Sequence, residues 1–317
     1  MAETKISGGS NKLLRKTGRL LKGRGEKSGL ISHTAIYALL TGIGFVYIYP
    51  LIYMITNSLM TPSDLVDPTV GWIATEWYGG NFAKAFQTLD YPGSFLLSLI
   101  TSLGPAILQT ASTAFIAYGL ARFQFPFKKV WMVLLIAVFI LPVQVTMIPN
   151  YVWFKTYGMT GTVLPTFLPA IFGQGIKSSV FILIFYQFYK SYPKAFDEAA
   201  SIDGAGRFKT FLNVAIPMSA PAILVCFLFS FIWYWNETIK TSTYFEGKIQ
   251  TLPIKLQNFV HSYSQMFPAN DFSTANRINE SIRLAGTLLT ILPLLILYII
   301  LQRQFIEGVE RSGITGE

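Results

Sequence analysis

The sequence predicts an all-α membrane protein with six transmembrane helices and both termini in the cytoplasm. Three observations predict it. Only 13% of the 317 residues are charged while 52% are hydrophobic, against about 25% charged in ordinary soluble domains. Residues 34–63, 91–121, 130–154, 210–236 and 284–302 contain no Asp, Glu, Lys or Arg, and each reaches the ~20 residues that a helix needs to cross about 30 Å of hydrocarbon. Lys and Arg are also unevenly placed. The N-terminal tail holds eight, the 122–129 segment three, the 190–217 segment four and the C-terminal tail two, against eight elsewhere. That asymmetry puts these four segments on the cytoplasmic side.

The elements follow in order. Residues 1–33 form a basic tail in which "KLLRKTGRLLKGRGEK" is an orientation anchor or a helix lying on anionic lipid. The apolar run after it is a full span, longer than the h-region of a cleavable signal. Gly18–Gly23 is not a phosphate loop, because Arg24 stands where that loop needs Lys. The membrane domain covers 34–303, with spans at about 34–60, 93–121, 130–149, 175–190, 218–238 and 284–302. The fourth follows Pro165, Pro169 and a polar knot at Gly173–Ser179. Irregular backbone is not tolerated against lipid, so residues 162–173 are read as packed near the outer surface and 175–190 as the span. A tail at 304–317 ends the chain, and 61–92 and 241–282 are the substantial outer loops.

Catalytic and metal chemistry find little support. Cys226 stands alone in an apolar span and the two histidines, His33 and His261, are far apart in sequence, so neither a disulfide framework nor a metal cluster is expected. No nucleophile elbow or HExxH pattern groups Ser, His and acids. No catalytic residue, metal or cofactor is assigned, and nucleic acid is not an expected partner. Within the spans the polar residues Gln109, Gln144, Thr146, Gln187, Asn236 and Glu237 are candidates for a translocation path or for interhelical hydrogen bonds, since unpaired burial costs several kcal/mol. Trp233, Tyr234 and Trp235 lie near a span end, where aromatic belts are normal.

The 190–217 segment is the most informative. Pro193 suits a helix start, Asp197 and Glu198 lie where the helix dipole favours anions, and Ala199 and Ala200 are strong helix formers. Gly204 and Gly206 break that helix, and Arg207–Val214 form a second one before Pro217. The small residues Ala199, Ala200, Gly204 and Ala205 permit close approach by another protein, with Glu198 and Asp203 as fixed acceptors. A plain solvated loop is the alternative.

Glu198-Ala199-Ala200, Asp203-Gly204-Ala205 and Val214-Ala215-Ile216-Pro217 resemble the EAA loop of permease subunits of ATP-binding-cassette importers, with Val214 and Ile216 replacing the usual Ile and Leu. "AYGLARFQFP" (117–126), "IPNYVWFKTYGMTGT" (148–162), "WNET" (235–238), "TLPIKLQNF" (251–259) and "LPLLILYIILQRQFIEG" (292–308) are similar to carbohydrate permeases like the second membrane subunit of the maltose importer. The resemblance covers residues 34–308. The ending "VERSGITGE" departs from the branch's Gly/Ala-rich terminus, which removes the usual basis for a C-tail contact with the ATPase.

The resemblance implies a type I importer permease fold and a bacterial or archaeal cell (inner) membrane location, in contact with membrane lipid. The chain would be a transport subunit rather than an enzyme. It implies coupling through Glu198, Ala199, Ala200, Asp203, Gly204, Ala205 and Pro217 to an ATPase dimer that carries ATP and Mg. A second permease, an extracellular or periplasmic solute-binding protein and a carbohydrate substrate complete the expected set. Tyr244, Phe245, Phe259, Tyr263 and Phe267 of the outer loop are candidate contacts to the binding protein, because exposed aromatics anchor interfaces; they could equally pack on neighbouring loops. An ion-coupled secondary transporter is less compatible with spans almost free of ionisable groups. A noncatalytic membrane scaffold leaves the helix, turn and helix of 193–217 unexplained.

Overall fold

The computed structural model describes residues 23–24, 27–28, 30–268 and 278–311. Most of the basic tail, the end of the C-terminal tail and residues 269–277 of the second outer loop lie outside them. The chain divides into two units, 1–78 and 79–317.

The first unit holds a two-residue antiparallel pair, β1 (Gly23–Arg24) with β2 (Lys27–Ser28), and then α1 (Leu30–Ser58). Helix α1 is apolar all round and exposed along its span-length window, the pattern of a helix whose surroundings are lipid or other helices. Phe45, Tyr49 and Tyr53 recur at four-residue spacing and stack in sequence, and Trp72 meets Tyr49 edge-on at 5.0 Å between ring centres. Beyond α1, buried Asp64 closes a loop. Its Oδ2 accepts from the Thr75 amide at 3.2 Å, and the Thr75 hydroxyl donates to Oδ1.

Among its described residues the second unit contains helices and no strand. Its elements are α2 (Gly80–Thr88), α3 (Tyr91–Arg122), α4 (Lys128–Ile140), α5 (Val143–Thr156), α6 (Leu164–Ile171) and α7 (Ser178–Ser191). Then come α8 (Ala195–Ile202) and α9 (Arg207–Thr210), which runs through a π turn (Phe211–Ala215) into α10 (Ile216–Met218). The chain continues with α11 (Ala220–Asn236), α12 (Ile239–Phe245), α13 (Leu252–Gln257), α14 (Phe259–Met266) and α15 (Glu280–Arg311).

Helix α3 is the central post, contacting α6, α7 and α11. Its buried face is made of small residues, among them Ser98, Ser102, Ala106, Thr110, Thr113, Ala114 and Ala117, which let neighbouring backbones come close where no water drives them together. The hydroxyls of Ser98, Thr110 and Thr113 are satisfied within the helix, each donating to the carbonyl four residues back at 2.6–2.7 Å. Helix α15 packs on α11 and α2.

Among the described residues three helices are long and apolar enough to cross a membrane, or five if each of two bent pairs counts as one span. The stretch expected as the third span, 130–149, is one of those pairs. It is α4 and α5, bent by 98° where Leu141 and Pro142 leave the helix, because proline supplies no amide hydrogen and its ring disfavours a helical residue before it. The other pair joins 207–218 to α11 at 80°.

The fourth expected span is α7, only 14 residues, or about 21 Å of helix. Between α6 and α7 the backbone leaves helical geometry, with Gly173 at φ 65° and Lys177 at φ 52°. Two side chains satisfy that break. Gln109 of α3 donates from Nε2 to the Ile176 carbonyl at 2.7 Å and accepts the Tyr234 hydroxyl of α11 at 2.6 Å. The Ile176 amide donates to the Tyr234 oxygen at 3.3 Å, and Ser112 donates to the Ala170 carbonyl at 2.7 Å. Gly175 sits against this knot: a Cβ there would stand 2.1 Å from Gln109 Oε1 and 2.2 Å from Tyr234 Oη.

Gly175→Ala is therefore expected to push Gln109 and Tyr234 apart and cost about 1–3 kcal/mol. Gly119→Ala, inside α3 with nothing within 4 Å of the new carbon, is expected to hold stability or raise it by up to about 1 kcal/mol. Thermal midpoints of the two detergent-solubilised variants check this, and equal midpoints would contradict the role given to the knot.

Candidate functional site

The helix, turn and helix expected at 193–217 is present with shifted limits. Helix α8 begins at Ala195, and its end is an αL turn in which Gly204 takes φ 75°. That conformation is open to glycine at no steric cost and to Asn or Asp at little. Gly204 has open space where a side chain would stand. Glu198, Ala199, Asp203, Gly204 and Pro217 are exposed, while Ala200 and Ala205 are half-buried. Beside them Ile202 is 86% exposed and Phe196, Phe208 and Leu212 are also exposed. Sequence reasoning passed over these four, since hydropathy alone does not separate a surface isoleucine from a core one.

What holds this segment to the bundle is a cluster around Arg122, the last residue of α3. The Arg122 side chain is 6% exposed, its Nε lies 3.0 Å from Asp197 Oδ2 and its Nη2 donates to the Tyr192 carbonyl at 2.9 Å. The guanidinium also lies 3.6 Å above the Tyr192 ring, and the Tyr192 hydroxyl donates to Asp197 Oδ1 at 2.9 Å. Burial raises the Tyr192 pKa, so that hydroxyl remains a donor at neutral pH. Arg207 stacks on Phe123 at 4.9 Å, a second tie between the α3 end and the segment. Asp197 read from sequence only as a dipole partner; its ion pair is 75 positions away and carried no sequence signal.

Helices α3–α7 and α9 together with α11 and α12 line an open cavity of about 1710 Å3. Of the six path candidates, Thr146 and Glu237 line it. Gln109 is fully buried in the knot described above, so it holds backbone rather than solute. Gln144, Gln187 and Asn236 are exposed and do not line the cavity; Asn236 donates to the Ile232 carbonyl within its own helix. Two cations that the sequence reading left out do line it, Lys177 and Lys240. Glu237 caps α12, its Oε1 accepting the Lys240 amide at 2.9 Å.

The aromatic contacts expected for a binding protein need correcting. Tyr244, Phe245, Phe259 and Tyr263 are buried at 4% exposure or less, and Phe267 is half-buried at 4.9 Å from the Tyr263 ring centre. Phe259 and Tyr263 belong to the core beneath α11 and α15, and Tyr244 and Phe245 pack with Phe154 and Ile254. Their apolar rings gain more from these neighbours than from water, so in this conformation they are no surface. The turn after α12 is instead pinned by Lys155, whose Nζ donates to Glu246 Oε1 at 2.8 Å alongside the Tyr151 hydroxyl at the same distance.

Residues 112–311 match the family described as binding-protein-dependent transport system inner membrane component. The chain is 28% identical over 280 residues to an osmoprotective compounds uptake permease protein, GgtD, of Synechocystis sp., covering 86% of this chain and 88% of that one. It is 25% identical to the diacetylchitobiose uptake system permease protein NgcG of Streptomyces coelicolor, covering 87% of each. Its fold is similar to a chain in the crystal structure of a bacterial ABC transporter involved in the import of the acidic polysaccharide alginate. That match has a TM-score of 0.71 at 17% identity, over 95% of this chain and 100% of that one.

Two outcomes follow from the geometry. Arg122→Met leaves Asp197 without its cation; since Asp197 is 24% exposed, the loss should fall at or below the ~3–5 kcal/mol of a fully buried pair. It should appear as faster tryptic cleavage at Lys194, partly reversed when Asp197→Asn is added; an unchanged cleavage rate would contradict it. The second concerns pH. The Lys155 hydrogen bond holds the Glu246 carboxyl below its ordinary range, so its contribution is complete above the unfolded value of about 4.3 and lost as pH falls through the lowered folded value. The stability difference between wild type and Glu246→Gln should vanish on acidification, and a difference that persists there would contradict the contact.

Proposed function

Because the chain belongs to the binding-protein-dependent transport system inner membrane component family, we propose that it is one permease subunit of an ATP-driven importer of carbohydrate. The observation that carries this is the coupling segment, α8 to α10, exposed with its glycine turn outward and tied by Arg122 to the end of the central helix. Glu198, Ala199, Ala200, Asp203, Gly204, Ala205 and Pro217 dock into a groove of a separate ATPase dimer that binds ATP and Mg. Exposed Ile202 adds apolar contact there.

The domain runs over 34–303 with six spans, both termini in the cytoplasm of a bacterial or archaeal cell, and it pairs with a second, different permease. An external solute-binding protein delivers the sugar. Closure of the ATPase pulls the segment, and the Arg122 cluster passes that displacement to α3 and α7 together. The bundle then alternates between two arrangements. Thr146 and Glu237 stand on the solute path. Relatives that take up chitobiose-type sugars and osmoprotective compounds support a carbohydrate or polyol cargo.

Gly204→Asp adds bulk and charge where the structure has open space and a conformation Asp accepts, so folding and membrane insertion should survive. Mass spectrometry of proteins copurifying in mild detergent is expected to find an ATPase and a second permease with wild type, and to lose the ATPase with Gly204→Asp. Retention of the ATPase together with full uptake in that variant would sink the assignment.

A further inference from the structure

The cavity has a charge imbalance that a path for neutral sugars does not need. Its charged lining is Lys177, Arg207 and Lys240 against Glu237 alone. Arg207 is occupied at the Phe123 ring, and the Glu237 carboxylate is engaged as the cap of α12. Among the described residues no carboxylate lies within ion-pair distance of Lys177 or Lys240.

Lys177 is the more telling of the two. It takes φ 52° at the head of α7, in a turn that already contains Gly173 and Gly175, a conformation that Asp90 and Phe127 also take at the heads of α3 and α4. That turn places its ammonium 4.5 Å above the ring of Trp233, which also lines the cavity. A cation on an indole face is held by the ring quadrupole yet keeps its charge unneutralised. Lys177 stands at the head of α7, about 21 Å of helix away from the coupling segment. Its side chain is exposed, so the charge is open to an anion that enters the cavity.

We infer that this cavity receives an acidic glycoside, an oligosaccharide bearing carboxylate, sulfonate or phosphate groups, with Lys177 pairing the anion from its place on the Trp233 ring. The inference rests on the importer reading and deepens it by naming the substrate class. Lys240 supplies a second cation on the outer side of the same space, and the cavity volume of about 1710 Å3 exceeds the roughly 300–1,000 Å3 of common small-ligand pockets, as a chain of several sugars requires.

The test uses the complex that copurifies with the full chain, held in phosphatidylcholine nanodiscs. Quenching of tryptophan fluorescence is titrated with trigalacturonate and, separately, with maltotriose. Trigalacturonate is expected to bind about tenfold tighter, an advantage that shrinks as salt rises. Lys177→Gln should lose that factor of about ten, equivalent to about 1.4 kcal/mol, while maltotriose binding and the thermal midpoint stay unchanged; Lys177→Arg should restore it. Equal affinity for the two sugars, no saturable trigalacturonate signal, or an equal loss of both in Lys177→Gln overturns the inference. Failure of the importer reading itself would show separately, as a preparation without an ATPase.

Discussion

A backbone that leaves its helix inside a bundle must find new partners for its amides and carbonyls, and here Gln109 and Tyr234 supply them. Their hydrogen bonds to Ile176 and to each other join α3 and α11 to the turn between α6 and α7. Buried without partners, such groups would each cost several kcal/mol. Much follows from this point. It ends α6, starts α7 as a short helix, and fixes the turn that carries Lys177 into the cavity. It also explains why the residue between must be glycine, since Gly175 leaves no room for a carbon.

From there the construction runs down α7 to a second polar junction. Tyr192, one residue beyond α7, and Arg122, at the end of α3, both hold Asp197 at the start of the α8–α10 segment. The upper knot is neutral, with its Gln109 and Tyr234 side chains buried, the lower one ionic and partly open to water. That difference suits their places: neutral hydrogen bonds lose least where the dielectric is low, and a charge pair is best kept where solvent still reaches one partner. Between them lies an apolar packing layer of Phe181, Phe185 and Tyr189 against Ala114, Ala117 and Tyr118.

Much of this was legible in the sequence, and unevenly so. The absence of charge over long runs marks α1, α3 and α15, because a membrane helix needs nothing but apolar length. The glycines at 204 and 206 mark the turn after α8 for reasons local to the backbone. Direction was not legible: the charge-free run of 130–154 looks like one span, and only the backbone shows the 98° bend near Pro142. Partnership was not legible either. Gln109 reads as a polar residue in a span, but its partners lie 67 and 125 positions away. Arg122 counts among the cytoplasmic cations by composition while being nearly buried in fact. The aromatics of 244–267 read as an adhesive surface because residue type says nothing about which side of a ring is covered.

The shortness of α7 has an electrical consequence. Helices α3 and α15 have 32 residues each, about 48 Å, while α7 has 14, about 21 Å. The cavity beside it is lined from Lys177 at the head of α7 to Arg207, Phe208 and Phe211 of the segment that follows α7. A charge at that head therefore faces solvent-accessible space rather than hydrocarbon, and the cost of an ion in lipid does not fall on Lys177, whose side chain is exposed.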